Sequence, residues 1–181
     1  ENYKVFMVTP DKDFAQLVSE NIFMYRPARM GNDIEIWGIP EVQAKFEIEH
    51  PLQVIDYLGM MGDAVDNIPG LPGVGEKTAQ ALLQGMGSIE TLYQRLDDIA
   101  ALGFRGSKTI ADKMREFKDQ LELSYQLATI KTDVELPKQL IDLHLQQPDY
   151  AKLAELYQQC EFRRWLAEVQ SAEKINTVRT A

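Results

Sequence analysis

The sequence predicts a mixed, mainly α fold: a short α/β segment over residues 1–50, followed by a helical module. Three observations predict it. A short apolar run, Val5–Val8, is β-branched at both ends and reads as a strand. From His50-Pro51 onward the apolar residues recur at helical spacing and continue so almost to the end of the chain. Between two of these helical stretches lies DNIPGLPGVGEKTAQALL, Asp66 to Leu83, which is dense in proline and glycine and passes straight into a helix pattern.

Val5–Val8 reads as a buried strand, and Thr9-Pro10 ends it. A short helix fits residues 13–18. Residues 22–25 and 34–37 read as two strands about a Gly31-Asn32 turn. Pro40 suits the first turn of a helix reaching about Phe46. Helices follow over 52–61, 76–84, 88–96, 108–118 and 122–131, with Ser88 as a natural N-cap. Residues 132–137 read as an extended connector, and two last helices lie near 149–159 and 162–169. The tail after Ser171 is polar, has no apolar period and is expected to be loose. The expected division is thus 1–50, 51–170 and a tail over 171–181. One weak internal repeat links Gly75-Glu76-Lys77-Thr78 to Gly106-Ser107-Lys108-Thr109, each opening a helix.

At 181 residues and 45% hydrophobic, the chain can bury a core. No apolar run approaches the roughly 18 residues of a membrane span, so no membrane partner is expected. The single cysteine, Cys160, excludes an internal disulfide and fits a reducing, cytoplasmic setting. The opening ENYKVFMV shows no leader and passes at once into a strand, which reads as a piece of a longer protein. A net charge of −9 argues against a polyanionic partner when taken as a total. The distribution is split, however. Residues 41–66 hold six acids against Lys45 alone, while 105–118 hold Arg105, Lys108, Lys113, Arg115 and Lys118 against Asp112 and Glu116. Such a basic stretch can grip a polyanion, although two ordinary solvated faces explain the same pattern.

The glycine-rich stretch has three readings. A nucleotide P-loop needs G-x-x-x-x-G-K-[ST] after a strand. Gly70 and Gly75 have that gap, but Glu76 intervenes before Lys77-Thr78 and would set its charge against a triphosphate. The dinucleotide fingerprint fails as well, because Thr78 stands where its third glycine belongs. A helix–hairpin–helix fits better. Leu71-Pro72-Gly73-Val74-Gly75, then Ala79, Leu82 and Leu83, supply its turn and its apolar helix face. Glycine lets the backbone approach a ligand closely, and unpaired N–H groups at the next helix start can receive a phosphate. Lys77 and Thr78 add a charge and a hydroxyl, and the hairpin carbonyls are suited to a monovalent cation. Contacts of this kind hold a backbone without reading sequence. The plain alternative is a tight helix–helix corner.

Four carboxylates could carry chemistry. Asp11 and Asp13 sit just beyond the first strand, the edge where α/β folds place their sites. Asp63 and Asp66 lie at a helix end directly before the hairpin. Hard cations take carboxylate oxygens, and two of them about 4 Å apart can drive phosphodiester cleavage. Capping and surface turns account for the same aspartates. His50 and His144 are isolated, Cys160 has no neighbouring ligand, and Trp37, Trp165, Met60 and Met61 sit in apolar patterns that read as core.

Three stretches together resemble a known family: Thr9-Pro10-Asp11-Lys12-Asp13-Phe14-Ala15-Gln16-Leu17-Val18, Gly62-Asp63-Ala64-Val65-Asp66-Asn67-Ile68-Pro69-Gly70, and Gly73-Val74-Gly75-Glu76-Lys77-Thr78-Ala79. They are similar to the 5′–3′ exonuclease domains of bacterial DNA polymerases I, members of the flap-endonuclease family. The later stretch from Leu123 to Val134 is similar too, and the resemblance runs over nearly the whole chain in order. It implies a remnant of a Rossmann-like nuclease core followed by a helix–hairpin–helix, SAM-like, DNA-binding module. It implies that Asp11, Asp13, Asp63 and Asp66 hold Mg²⁺ or Mn²⁺ in a two-metal phosphodiester hydrolysis. Gly73, Val74 and Gly75 match the hairpin that holds K⁺ against DNA. With Lys77, Thr78 and the repeated turn at Gly106, Ser107, Lys108 and Thr109 they are expected to grip the backbone.

The implied partners are duplex DNA with a 5′ flap or nick and polymerase domains of the same parent, in primer removal and repair. A monomer, cytoplasmic and nucleoid-associated, is expected. The sequence departs from the family in one respect: the first-metal carboxylates, opening strands and helical arch all belong before the position of Asp11. The chain by itself is therefore expected to bind DNA weakly and to cleave it slowly or not at all. A non-catalytic helix–hairpin–helix module and an RNA-cleaving relative are the remaining alternatives.

Overall fold

Val5–Val8 forms β1, which pairs in parallel with β2, Ile22–Arg26, from Val5 opposite Ile22 to Val8 opposite Tyr25. β3, Glu35–Trp37, runs antiparallel along the other side of β2, with Met24 opposite Trp37. The structure, a computed structural model, describes residues 3–28 and 33–179, with side chains as far as residue 172. The expected Gly31-Asn32 turn lies outside the described residues. Met24 on the central strand is fully buried. The expectation of a buried β1 is corrected: Val5, Phe6 and Val8 are exposed. Among the described residues β1 is an edge strand, Phe6 meets only Phe23 in a ring stack at 5.4 Å, and Met7 alone of the strand packs partly against the core.

A 3-10 turn, Lys12–Leu17, connects β1 to β2. α1, Ile39–Phe46, begins as its sequence suggests, with Pro40 in the first turn and the Glu41 carboxylate accepting the Gly38 N–H at 2.8 Å. α2, Gln53–Met61, buries Val54, Ile55, Tyr57, Leu58 and Met60 and forms the centre of the first unit. Fully burying a side chain such as Leu58 contributes roughly 2 kcal/mol. α2 packs against α6, Lys118–Ala128. Their backbones approach closely at Gly59, where a Cβ would stand 3.2 Å from the Tyr125 Cα.

α3, Glu76–Met86, inserts Ala79, Leu82 and Leu83 into the same core. α4, Ile89–Gln94, is capped twice: Ser88 Oγ accepts the Thr91 N–H at 3.1 Å, and buried Asp56 accepts the Ile89 N–H at 2.8 Å. Burial pushes the Asp56 carboxyl up, only partly offset by that hydrogen bond. A 3-10 turn at Leu96–Leu102 and α5, Ser107–Glu116, complete the first unit with α6. α6 starts at Lys118, earlier than expected, because only Phe117 separates it from α5 and no glycine or proline marks the break.

Contacts divide the chain into two units, Glu1–Thr132 and Asp133–Ala181. The second carries α7, Tyr150–Gln159, capped by Asp149, and α8, Arg163–Arg179. Trp165, expected in a core, is half exposed and meets Phe162 edge-on at 5.0 Å and Tyr157 at 5.7 Å. The tail after Ser171, expected to be loose, is helical as far as Arg179, and its sequence SAEKINTVR holds no glycine or proline to interrupt the helix. Among the described residues no helix is long and apolar enough to cross a membrane.

Candidate metal centre and nucleic-acid interface

Asp13 and, fifty residues on in sequence, Asp63 and its near neighbour Asp66 each place a carboxylate oxygen within 4.8 Å of the others. Asp13 comes from the 3-10 turn after β1, and Asp63 and Asp66 from the turn after α2. Asp11 stands outside this group. It caps the 3-10 turn, its Oδ1 accepting the Asp13 N–H at 3.1 Å. Gln16 fixes the turn from below, donating to the carbonyls of Asp13 (3.0 Å) and Ala128 (2.9 Å) and accepting the Ile130 N–H at 2.9 Å. Asp63 is anchored in its own loop: Oδ1 accepts the Val65 N–H at 2.8 Å, and its backbone bridges to Ile68.

The sequence pointed to the aspartates and passed over the lysine between two of them. Lys12 Nζ donates to Asp63 Oδ2 and lies 4.0 Å from Asp13 Oδ1. That asymmetry separates the two carboxylates. The Lys12 hydrogen bond holds Asp63 below the usual carboxylate range, against the cost of burial. Burial, then the charge of Asp11, pushes Asp13 up, with Lys12 only partly compensating. For Lys12 itself burial works against the ammonium, but the hydrogen bond to Asp63 and the charges of Asp63, Asp13 and Asp11 outweigh it and raise its pKa.

The group fits a hard divalent ion such as Mg²⁺ or Mn²⁺. All its donors are carboxylates, no histidine or cysteine joins it among the described residues, and the buried Asp13 Oδ1 has no hydrogen-bond partner. Asp13, Asp63 and Asp66 are the residues that would hold such an ion.

The turn that carries Asp63 and Asp66 leads directly into the glycine-rich stretch. Asn67 (φ 57) and Gly70 (φ 65) both adopt the left-handed region. At Gly70 the requirement for glycine is steric: an added Cβ would lie 2.5 Å from the Gly62 nitrogen and 2.7 Å from the Met61 carbonyl carbon. α6 clamps this point from the other side. Ser124 Oγ accepts the Gly70 N–H at 3.0 Å, and Gln120 donates to the Gly70 carbonyl at 2.7 Å. Lys113 from α5 reaches across to the Pro72 carbonyl at 3.0 Å, beside Gly73. The carboxylate turn and the hairpin are thus held as one piece by residues from α5 and α6.

Beyond the hairpin, Gly75 caps α3 in extended conformation, and nothing lies within 4 Å of where its Cβ would be. The first bonds of α3 run from the Thr78 and Ala79 N–H groups to Gly75 O, which leaves those of Glu76 and Lys77 ahead of them. Val74 is buried and its N–H is used by Leu71, so it supports the turn from within. The Lys77 ammonium pairs with Glu47 at 3.1 Å on the surface.

The second turn also opens its helix, α5, at a glycine, but Gly106 is left-handed (φ 93) where Gly75 is extended. Its side chains divide. Ser107 is buried and bonds the Ala100 carbonyl, and the Thr109 hydroxyl returns to Gly106 O at 3.0 Å. Arg105 and Lys108 are exposed, with no ion-pair partner among the described residues. Among the described residues the basic stretch therefore contains two cations without an ion-pair partner. Arg115 is held by Asp97 and Asp112, Lys118 pairs with Glu122, and Lys113 is on the hairpin. A separate groove of 870 Å³ is lined by Asp56, Tyr93, Arg115, Lys118, Glu122 and Tyr125 among others, and it shares no residue with the carboxylate group. Both of its cations are already paired, so the groove offers a polyanion little.

Comparison with known proteins places the chain in a family. The chain is 45% identical over 166 residues to DNA polymerase I of Pseudomonas aeruginosa, covering 91% of this chain and 18% of that protein. It is 37% identical over 169 residues to the 5′–3′ exonuclease of Aquifex aeolicus, covering 93% of this chain and 53% of that one. It therefore spans about half the length of that exonuclease and a far smaller part of the polymerase. The crystal structure of the bacteriophage T5 flap endonuclease, a pseudo-enzyme-product complex with DNA and metal ions, superposes with a TM-score of 0.53 at 18% identity, over 69% of this chain and 42% of that one. That likeness establishes a shared fold. Residues 49–151, more than half of the chain, match the family described as 5′–3′ exonuclease, C-terminal SAM fold, and the chain belongs to that family.

Proposed function

We propose that this chain is part of a 5′–3′ exonuclease, flap-endonuclease-type domain of a DNA polymerase I, binding duplex DNA beside a 5′ flap or nick and contributing to its metal-dependent hydrolysis. One observation carries the reading: the turn that holds Asp63 and Asp66 continues without interruption into the hairpin that presents its backbone at Gly75. A backbone phosphate gripped by the hairpin would therefore be registered against the carboxylates. The chemistry a divalent ion supplies there when bound is Lewis-acid polarisation of a phosphate oxygen and activation of a water. The chain's own part is to hold and orient. Asp13, Asp63 and Asp66 offer the charge, Gln16 and Ser124 fix the two turns, and the N–H groups at the start of α3 receive the strand.

In this reading residues 1–50 belong to the nuclease core, 51–170 form the DNA-gripping module and 171–181 link onward. Asp11 contributes charge and the cap. A K⁺ at the hairpin would be held by its backbone carbonyls; those of Gly70 and Pro72 each already accept one hydrogen bond, from Gln120 and Lys113, and have a second lone pair. The protein would act as a monomer at the nucleoid, alongside polymerase domains of its parent. Support for the metal and the DNA comes from the T5 complex of the same fold. A non-catalytic DNA-binding module remains the second reading, favoured by the Lys12–Asp63 pair, which leaves Asp63 a partner without any metal.

Binding to a nicked duplex, followed by fluorescence anisotropy across a salt series, tests the grip. For about four neutralised phosphates the log-affinity should fall against log salt with a slope of roughly −3 to −4. Arg105→Ala with Lys108→Ala should reduce that slope by about 1 to 2. A slope near zero, or a double variant that behaves as wild type, contradicts the assignment. Lys77→Ala should cost less than Lys108→Ala, because Glu47 already holds the Lys77 charge.

A further inference from the structure

We infer that Lys12 is an internal counter-ion that competes with a divalent cation for Asp63, so that the carboxylate group binds metal more weakly than its three acids alone would. The inference rests on the metal-binding reading above and adds a residue to it. Three features carry it. The ammonium donates to Asp63 Oδ2, the oxygen left over after Oδ1 has accepted the Val65 N–H, so Asp63 has no carboxylate oxygen without a partner. It approaches Asp13 to 4.0 Å without bonding it, and Asp13 Oδ1 remains buried with no hydrogen bond. Finally, the Asp63 side chain is only 5% exposed while Lys12 is 40% exposed. The acid is fixed and the base sits at the rim, so the lysine is the partner that can leave.

The thermodynamic consequence is a trade. With no divalent ion present, Lys12 offsets the mutual repulsion of Asp13, Asp63 and Asp66 and stabilises the two turns. When a cation enters, it must share Asp63 with the ammonium or displace it into solvent. Lys12 thus stabilises the metal-free protein and opposes metal binding by the same interaction, because a ligand gains only what distinguishes its bound state from the free one.

The test is Mn²⁺ binding to the 181-residue chain, with free Mn²⁺ counted by electron paramagnetic resonance, for wild type, Lys12→Met and Lys12→Arg. Lys12→Met should bind Mn²⁺ roughly three- to tenfold more tightly, the scale on which one partly exposed unit charge acts on a divalent ion. Lys12→Arg, which keeps the charge, should stay near wild type. In thermal melts Lys12→Met should have the lower Tm without metal and the larger rise on Mn²⁺ saturation. Equal or weaker Mn²⁺ binding by folded Lys12→Met overturns the competition while leaving the metal site intact. Saturable Mn²⁺ binding by none of the three proteins overturns the metal reading and this inference with it.

Discussion

If the proposed function holds, asparagine in place of Asp63 is expected to lower Mg²⁺-dependent cleavage of a 5′-flap substrate by the longer protein by at least about a hundredfold, the scale on which single electrostatic groups act in such sites. The substitution is chosen for what it keeps. Its side-chain oxygen can still accept the Val65 N–H, so the turn retains its internal bond. The charge goes, and an amide now faces the Lys12 ammonium, donor against donor. The lost pair should cost about 1–3 kcal/mol of stability. Cleavage assays paired with circular-dichroism melts separate the two effects. A folded variant that cleaves within threefold of wild type would show that Asp63 serves structure alone.

The largest effect on stability is expected at Gly70. Alanine there must hold φ 65 and set its Cβ 2.5 Å from the Gly62 nitrogen and 2.7 Å from the Met61 carbonyl carbon. Both contacts are backbone, so neither can swing aside. The N–H and carbonyl of Gly70 are also bound by Ser124 and Gln120, so the loop cannot shift without breaking those bonds. A loss of roughly 3 kcal/mol or more in urea denaturation is expected, the sum of left-handed strain and overpacking. Gly75→Ala is the contrast. Nothing stands near its Cβ and its φ is −112, so stability should change by less than about 1 kcal/mol. Its methyl would instead project where the backbone is open, and nicked-duplex affinity should fall. A Gly70→Ala protein as stable as wild type contradicts the close approach of the two turns.

These two glycines illustrate how much the sequence made legible. The density of glycine and proline over Asp66–Leu83 marked the hairpin, and the helix that follows it starts at Glu76 as its pattern implies. What periodicity could not separate was which glycine packs against backbone and which faces open space. That difference lies between Gly62 and Gly70, neighbours only after folding. The carboxylates follow the same logic. Asp63 and Asp66 were visible as a pair beside the hairpin, but their meeting with Asp13 depends on α2 and the 3-10 turn converging. Only the family resemblance anticipated it. The bonds that Lys12, Gln16, Ser124 and Lys113 make to the two turns were not legible, because each reaches a partner at least forty residues away and no local spacing encodes such a bond. The strand β1 was misjudged for a related reason: an apolar run announces a strand, while its burial depends on what lies opposite. Leu96–Leu102 went unread as a 3-10 turn because its apolar residues follow no helical period long enough to register.

The claim on which all of this depends is that Asp13, Asp63 and Asp66 form a divalent-cation site rather than a set of caps. Titration of the chain with Mn²⁺, comparing wild type with the Asp13→Asn/Asp63→Asn double variant, addresses it most directly. Wild type should show saturable binding that the folded double variant loses. Equal Mn²⁺ binding by the two proteins, or no saturable binding by either, would contradict it.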